Sequence, residues 1–156
     1  MKSCSFTGHR VIAAEKTSAL EMLIDRAVEY AYGEGCRDFL CGGALGFDTM
    51  AARSVIAKRI KYPDMRLLMV LPCKNQTDRW TERARFMYEY TLSVADEVIY
   101  ISDEYTSSCM KERNLYLAEN CDILIAYVGR SNSGAAQTVR FAERSGKKVY
   151  NLFGKE

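Results

Sequence analysis

The chain has 156 residues, of which 48% are hydrophobic and 27% charged, the composition of an ordinary globular protein that is long enough to bury a core. Its formal charge of +2 is too small to indicate a nucleic-acid-binding protein, and the basic residues are spread among acidic ones. The opening residues MKSCSFTGHR lack the apolar centre of a signal peptide, and no apolar run approaches the roughly 18 residues that span a bilayer. We therefore expect one cytoplasmic domain over residues 1–156.

Short apolar runs alternate with longer segments of helical periodicity. Strands are predicted over 3–8, 38–43, 65–72, 96–102, 121–129 and 147–153, and helices over 14–33, 47–61, 79–94, 107–120 and 134–145. Gly33 and Gly35 are typical of a helix end. Six strands alternating with five helices predict an α/β, Rossmann-like, doubly wound fold: a mostly parallel sheet of about six strands with helices on both faces.

The six cysteines stand at irregular spacings, and no two of them form a C-x-x-C pair. Since the chain also has only one histidine, its sequence shows no pattern of a zinc site, and we predict neither a metal nor a cofactor. Most of the cysteines fall in apolar runs, so we expect reduced and mostly buried thiols.

The residues after the first strand are Gly8, His9 and Arg10. In a doubly wound sheet, ligands bind at the carboxyl ends of the strands, near the point where the strand order reverses. His9 could be a catalyst, a ligand contact or a structural residue at the end of a strand. Because no nucleophile motif accompanies His9, we interpret His9 and Arg10 as residues that contact a ligand. The small Gly8 beside them allows the ligand to approach the backbone closely.

Two further turns of small residues lead from a strand into a helix. The first contains Gly42, Gly43 and Gly46, and the second contains Ser133, Gly134 and Thr138. Each has a structural alternative, since glycines also serve tight turns and Ser133 is a plausible helix N-cap. Two such turns at one sheet edge favour a phosphate-bearing ligand held by backbone N–H groups and helix N-termini. Neither turn is a Walker A loop or a complete G-x-G-x-x-G motif.

Three polar residues and the only tryptophan complete the candidate pocket. Asp48, in the first turn of the second helix, either complements the helix dipole or binds a sugar or base. Arg113 and Asn114 lie near the apolar side of the fourth helix, where Arg113 needs either an anionic ligand or a neighbouring acid. Trp80 either packs in the core or forms a stacking surface for a base.

In these residues the chain resembles the SLOG superfamily, in its YpsA-like branch. The resemblance is carried, in order and over nearly the whole length, by FTGHR, GGALGFDTMAA, LPCKNQTDRW, ADEVIYISDEYTSSCMKERN, CDILIAYV and SGAAQTVRFAE. It implies a Rossmann-like domain with a pocket for a nucleotide-derived ligand, in a bacterial protein of signalling or stress. The superfamily also includes the Lonely guy phosphoribohydrolases and the DNA-processing protein DprA.

The resemblance to the phosphoribohydrolases is incomplete at the residues that would act on a substrate. Arg113 matches an arginine of their Met-x-x-Arg-Lys segment, but Phe141 stands where they have a catalytic glutamate. Asp48 and Glu112 are the remaining carboxylate candidates, and neither comes from the matching position. The resemblance therefore favours binding over catalysis.

Three functions follow as hypotheses. The first is binding or sensing of a nucleotide-like small molecule, the second is N-glycosidase action on a nucleoside phosphate, and the third, disfavoured by the small charge, is binding of single-stranded DNA. A homo-oligomer is compatible with Met87, Tyr88 and Tyr90 on the third helix, although core packing explains these residues equally well.

Overall fold

Six parallel strands form one sheet, in a computed structural model that describes residues 2–156. A short 3₁₀ turn, Ala14–Lys16, precedes the first helix. The strands and helices, in chain order, are β1 (Lys2–Gly8), α1 (Thr17–Gly33), β2 (Cys36–Cys41), α2 (Phe47–Lys58), β3 (Arg66–Leu71), α3 (Glu82–Val94), β4 (Glu97–Tyr100), α4 (Cys109–Glu119), β5 (Ile123–Tyr127), α5 (Gly134–Arg144) and β6 (Lys148–Asn151). The predicted α/β Rossmann-like fold is confirmed.

The strands lie in the order β4-β3-β2-β1-β5-β6, so the strand order reverses between β1 and β5. From β1 the chain proceeds outward to β4, and then crosses back to place β5 against the other side of β1, where Gly8 pairs with Tyr127. The carboxyl ends of β1 and β5 therefore separate into two diverging loops, and this divergence is where doubly wound sheets bind their ligands.

Helices cover both faces of the sheet because side chains along a strand alternate in direction. On one face Phe39 joins a core cluster that includes Leu20 of α1 and Val55 of α2. The neighbouring residue Leu40 points to the opposite face, where it packs with Leu117 of α4. The burial of both faces explains why β3 and β5 have nearly continuous apolar sequences.

Several element boundaries differ from the predicted ones by a few residues. The helix predicted from 79 begins at Glu82, because Thr81 caps it by accepting a hydrogen bond from the Ala84 N–H at 3.2 Å. The strand predicted over 38–43 is Cys36–Cys41, since Gly43 adopts the left-handed φ of +73° and leaves the extended conformation. The end of α1 at Gly33 is as predicted.

All six cysteines are buried free thiols, as expected. Within residues 2–156, no helix has the length and apolar character that a membrane span requires.

Candidate functional site

A cavity of about 360 Å³ lies at the carboxyl ends of β1 and β5, where the strand order reverses. We call it the central cavity. Its walls come from the loops after β1, β2 and β5 and from α4. Its lining residues are Thr7, Gly8, His9, Arg10, Val11, Ala44, Asp48, Met110, Arg113, Asn114, Leu117, Arg130, Ser133, Gly134 and Ala135.

Eight of the twelve residues predicted to bind a ligand line this cavity: Gly8, His9, Arg10, Asp48, Arg113, Asn114, Ser133 and Gly134. The other four, Gly42, Gly43, Gly46 and Thr138, do not line it. Gly42 lies behind Arg113, which donates to its carbonyl oxygen, and the buried Thr138 hydroxyl donates to the Gly134 carbonyl at 3.1 Å within α5. A direct ligand contact stays a prediction for all twelve residues.

His9 brings a buried hydrogen-bond donor to the cavity wall. Its Nε2 accepts a hydrogen bond from the Gly129 N–H at 2.7 Å, so the proton of the neutral ring is on Nδ1. Burial, followed by the nearby Arg130 charge, lowers the pKa of His9, and the ring is neutral at pH 7. Among the described residues, Nδ1 has no hydrogen-bond partner although it is buried. A buried donor of this kind calls for an acceptor from outside the protein.

Asp48 brings an acceptor that is likewise without a partner. The residue is only 5% exposed, and its Oδ2 accepts a hydrogen bond from the Ala44 N–H at 3.2 Å. Within residues 2–156, its buried Oδ1 accepts none. Burial raises the pKa of Asp48 to about 6, although the Arg113 charge acts to lower it. The carboxylate does lie in the first turn of α2, yet burial sets it apart from an exposed residue that only complements a helix dipole.

Arg113 is a buried cation held by neutral groups. It is 5% exposed, its Nη1 donates to the Gly42 carbonyl, and its Nε donates to Asn114 Oδ1 at 3.0 Å. Asn114 in turn donates from Nδ2 to the Gly134 carbonyl at 3.4 Å. Burial lowers the pKa of Arg113, and the Asp48 charge partly offsets this. These hydrogen bonds join α4 to the loop after β2 and to the start of α5. They hold Arg113 and Asn114 in place as the floor of the central cavity.

The N-terminus of α5 and two arginines contribute positive charge to the cavity wall. Ser133 is the N-cap that the sequence suggested, since its Oγ accepts a hydrogen bond from the Ala136 N–H at 3.1 Å. The first N–H groups of a helix, here those of Gly134 and Ala135, have no partner within the helix. Arg10 and Arg130 add exposed positive charge at the rim. This arrangement is suited to an anion.

The turn before α2 is built around a close approach of two backbones. Gly46 has a φ of +74°, and a Cβ there would lie 2.3 Å from the Arg10 carbonyl oxygen. The Phe47 N–H donates to the His9 carbonyl at 3.1 Å. The glycine turn thus fastens α2 to the His9–Arg10 wall of the cavity.

The sequence interpretation missed several lining residues, of which Arg130 is the most important. A signal was present, because Arg130 lies in the loop after the fifth predicted strand, where ligand contacts were expected. Ala44 carried the same signal, since it follows the second predicted strand, whereas the place of Met110 in the wall depends on how α4 packs against the sheet.

Replacing Asp48 with asparagine is expected to stabilise the protein at pH 8. The pKa of this carboxyl is about 6 in the folded protein against an ordinary value of 3.8, so the folded state loses stability as the pH rises through 6. A difference of that size corresponds to roughly 3 kcal/mol, an upper figure for Asp48→Asn because the variant also removes the opposite charge that favours the buried Arg113 guanidinium. Urea unfolding of both proteins should show the gain at pH 8 and little of it below pH 4. A loss of stability at pH 8 would contradict the assignment.

Comparison with known proteins identifies a family and individual proteins to which this chain is similar. The profile of the YspA SLOG family matches residues 9–152. The uncharacterised SPbeta prophage-derived protein YoqJ of Bacillus subtilis is 27% identical over 128 residues, which are 73% of this chain and 75% of YoqJ.

Two solved structures of the DNA processing protein DprA share the fold. The one from Streptococcus pneumoniae superimposes with a TM-score of 0.69 at 16% identity, over 96% of this chain and 50% of that protein. The one from Helicobacter pylori, described for its single-stranded DNA binding mode, has a TM-score of 0.66 at 17% identity, over 95% of this chain and 63% of that protein. This chain therefore spans between half and two thirds of the DprA chains.

Proposed function

Because this chain belongs to the YspA SLOG family, we propose that its central cavity binds a phosphorylated, nucleotide-like small molecule and that the protein is a ligand-binding or sensing module. The observation that carries the proposal is that two residues lining one cavity, His9 and Asp48, each have a buried polar atom without a partner among the described residues. His9 Nδ1 is a donor and Asp48 Oδ1 an acceptor. Buried polar groups are satisfied in nearly all native proteins, so a ligand that supplies both partners explains the pair.

The anionic part of the ligand belongs at the N-terminus of α5, beside Arg130. The free N–H groups at the start of α5 can donate to phosphate oxygens, and His9 Nδ1 can add a further hydrogen bond. The Arg130 guanidinium provides bidentate geometry for the same group. A small-molecule cavity with a few convergent polar groups is the usual form of such a site.

The hydroxyl-bearing part of the ligand belongs beside Asp48. A carboxylate with a free oxygen can accept a hydrogen bond from a sugar hydroxyl or a base amino group. Arg113 and Asn114 line the cavity next to it as a fixed floor. A donor residue and an acceptor residue that line one cavity match the phosphate and the sugar of a nucleotide.

N-glycosidase action is a second candidate, favoured by one observation. The pKa of about 6 gives Asp48 the range of a general base at neutral pH. Phe141, at the position of the phosphoribohydrolase glutamate, instead packs with the Leu124 cluster on the sheet. Glu112 is exposed and accepts a hydrogen bond from Ser108 at 2.9 Å outside the cavity wall. Catalysis would thus depend on Asp48 alone. Release of free base from nucleoside monophosphates, abolished by Asp48→Asn, would establish it; no turnover above the blank would exclude it.

Single-stranded DNA binding is the least supported of the three hypotheses. The likeness to DprA is at 16–17% identity and concerns the fold. The charge of +2 provides little electrostatic attraction for a polyanion. A salt-sensitive gel shift with single-stranded DNA would support this alternative.

His9→Ala is expected to weaken binding of the best-bound ribonucleoside monophosphate at least about tenfold, or ~1.4 kcal/mol. The variant removes the Nδ1 donor, while water can replace the lost acceptor of the exposed Gly129 N–H. The free energy of unfolding should fall by about 1–3 kcal/mol, because the buried ring also loses its contacts with Tyr127 and Phe153.

Calorimetric titration with the four ribonucleoside monophosphates and urea unfolding measure the two effects in the same samples. Arg83→Ala, an exposed change on α3 away from the cavity, is the control and should alter neither quantity. If His9→Ala lowers stability strongly and leaves affinity unchanged, His9 is a structural residue.

A further inference from the structure

A second depression, of about 830 Å³, opens beside the central cavity. We call it the side groove, and its walls include Gln76, Arg79, Trp80 and Tyr105. Arg10 and Met110 line both the side groove and the central cavity. The two spaces are therefore adjoining compartments with a shared edge, and one ligand can occupy both.

Two aromatic side chains line the side groove, one held in place by its neighbours and the other largely exposed. Trp80 is half-buried, and its ring meets that of Tyr88 edge-on at a centroid distance of 5.3 Å. Gln76 holds the same loop by donating from Nε2 to the Tyr88 hydroxyl at 3.0 Å. Tyr105, by contrast, leaves 65% of its surface exposed. A fixed tryptophan and an exposed tyrosine on one groove are suited to stacking a planar ring.

The groove also offers polar groups for the edge of such a ring. Asn75 and Asp78 line it beside the aromatic residues, and both are exposed. Amide and carboxylate side chains can pair with the donors and acceptors of a nucleobase or a similar heterocycle. Arg10 lies where the two compartments join, so a negatively charged link between two ligand parts would pass beside a guanidinium.

We propose that the ligand has two ring-bearing parts joined through phosphate, of the class of a dinucleoside pyrophosphate. The first part occupies the central cavity, the phosphate link passes Arg10, and the second ring stacks in the side groove against Trp80 and Tyr105. The proposal rests on the proposed function, since it assumes that the central cavity takes the nucleotide half of the ligand.

The only tryptophan of the chain gives a direct readout of the side groove. The probes are the four ribonucleoside monophosphates and the corresponding symmetrical dinucleoside pyrophosphates. A pyrophosphate is expected to bind at least about tenfold more tightly than its monophosphate, as one stacked base allows. It should also quench Trp80 fluorescence, whereas the monophosphate should leave that fluorescence nearly unchanged.

Tyr105→Ala removes an exposed ring and is therefore expected to fold normally. It should reduce the advantage of the pyrophosphate to about twofold and leave affinity for the monophosphate as it was. The matched control is Phe86→Ala, which removes a ring that is 70% exposed on α3 and does not line the side groove. This control should preserve the advantage.

Three results overturn the two-part ligand. If monophosphates bind and pyrophosphates bind no better, the side groove does not contribute, and the proposed function stands. If neither class binds, the proposed function itself fails. If single-stranded oligothymidylate quenches Trp80 in a salt-sensitive way and the pyrophosphates do not, the side groove belongs to a nucleic-acid surface.

Discussion

Replacing Arg113 with methionine is expected to lower the free energy of unfolding by about 3–5 kcal/mol at pH 8 and to abolish nucleotide binding. Methionine keeps the apolar volume of the side chain but removes the charge that faces the buried Asp48 carboxylate. Loss of one member of a buried pair of opposite charges leaves the other uncompensated. The Gly42 carbonyl also loses its hydrogen-bond donor.

The pH dependence of this loss identifies its cause. Arg113 acts to lower the pKa of Asp48, so without Arg113 that pKa rises further above its value of about 6. At pH 5 the carboxyl of the variant is protonated and neutral, and the deficit in unfolding free energy should be smaller than at pH 8. Urea unfolding at the two pH values measures this difference.

A second substitution tests whether the two residues act together. Adding Asp48→Asn to Arg113→Met should recover much of the lost stability at pH 8, because no buried charge then remains. Arg83→Met, an exposed arginine of α3, is the control and should change stability by less than about 0.5 kcal/mol. An equal deficit at pH 5 and pH 8, with no recovery in the double variant, would contradict the coupling.

Gly46→Ala is expected to have the next largest effect, and the chain contains a matched control for it. Gly46 and Gly146 have nearly the same left-handed φ, +74° and +72°. A Cβ on Gly146 meets nothing within 4 Å, whereas one on Gly46 would lie 2.3 Å from the Arg10 carbonyl oxygen. Both alanine variants carry a cost for the positive φ, and Gly46→Ala adds the steric conflict and a ψ of −117° that lies outside the left-handed helical region.

Gly146→Ala should cost about 1–2 kcal/mol for the left-handed conformation. Gly46→Ala should cost at least about 2 kcal/mol more, because backbone rather than a flexible side chain has to move. The displaced backbone carries His9 and Arg10, so Gly46→Ala should also weaken nucleotide binding, which Gly146→Ala should leave intact. Equal losses of stability in the two variants would show that the turn before α2 tolerates a Cβ.

The element order was predictable from sequence because each strand and helix has its own hydrophobic pattern, as in β3 and α1. The placement of β5 beside β1 was not, since nothing in the periodicity of a strand specifies its neighbour. Most polar residues that line the central cavity were found by asking which residues follow strands. Contacts between distant segments, such as Arg113 with Gly42, needed the folded structure.

The state of individual side chains was also beyond the sequence. That His9 is a donor through Nδ1 depends on the Gly129 N–H, which is 120 residues away along the chain. The raised pKa of Asp48 depends on its burial beneath the turn at Ala44. The sequence placed these residues at one edge of the sheet. Their packing in the folded protein determines the protonation state of each side chain and which of its polar atoms lacks a hydrogen-bond partner.

A crystal structure grown with a saturating ribonucleoside monophosphate tests the central claim most directly. The account predicts the nucleotide in the central cavity, with its phosphate within hydrogen-bond distance of His9 Nδ1 and the Gly134 N–H, and with a sugar hydroxyl on Asp48 Oδ1. Nucleotide bound elsewhere on the protein, or a central cavity that stays free of it at saturation, would contradict the account.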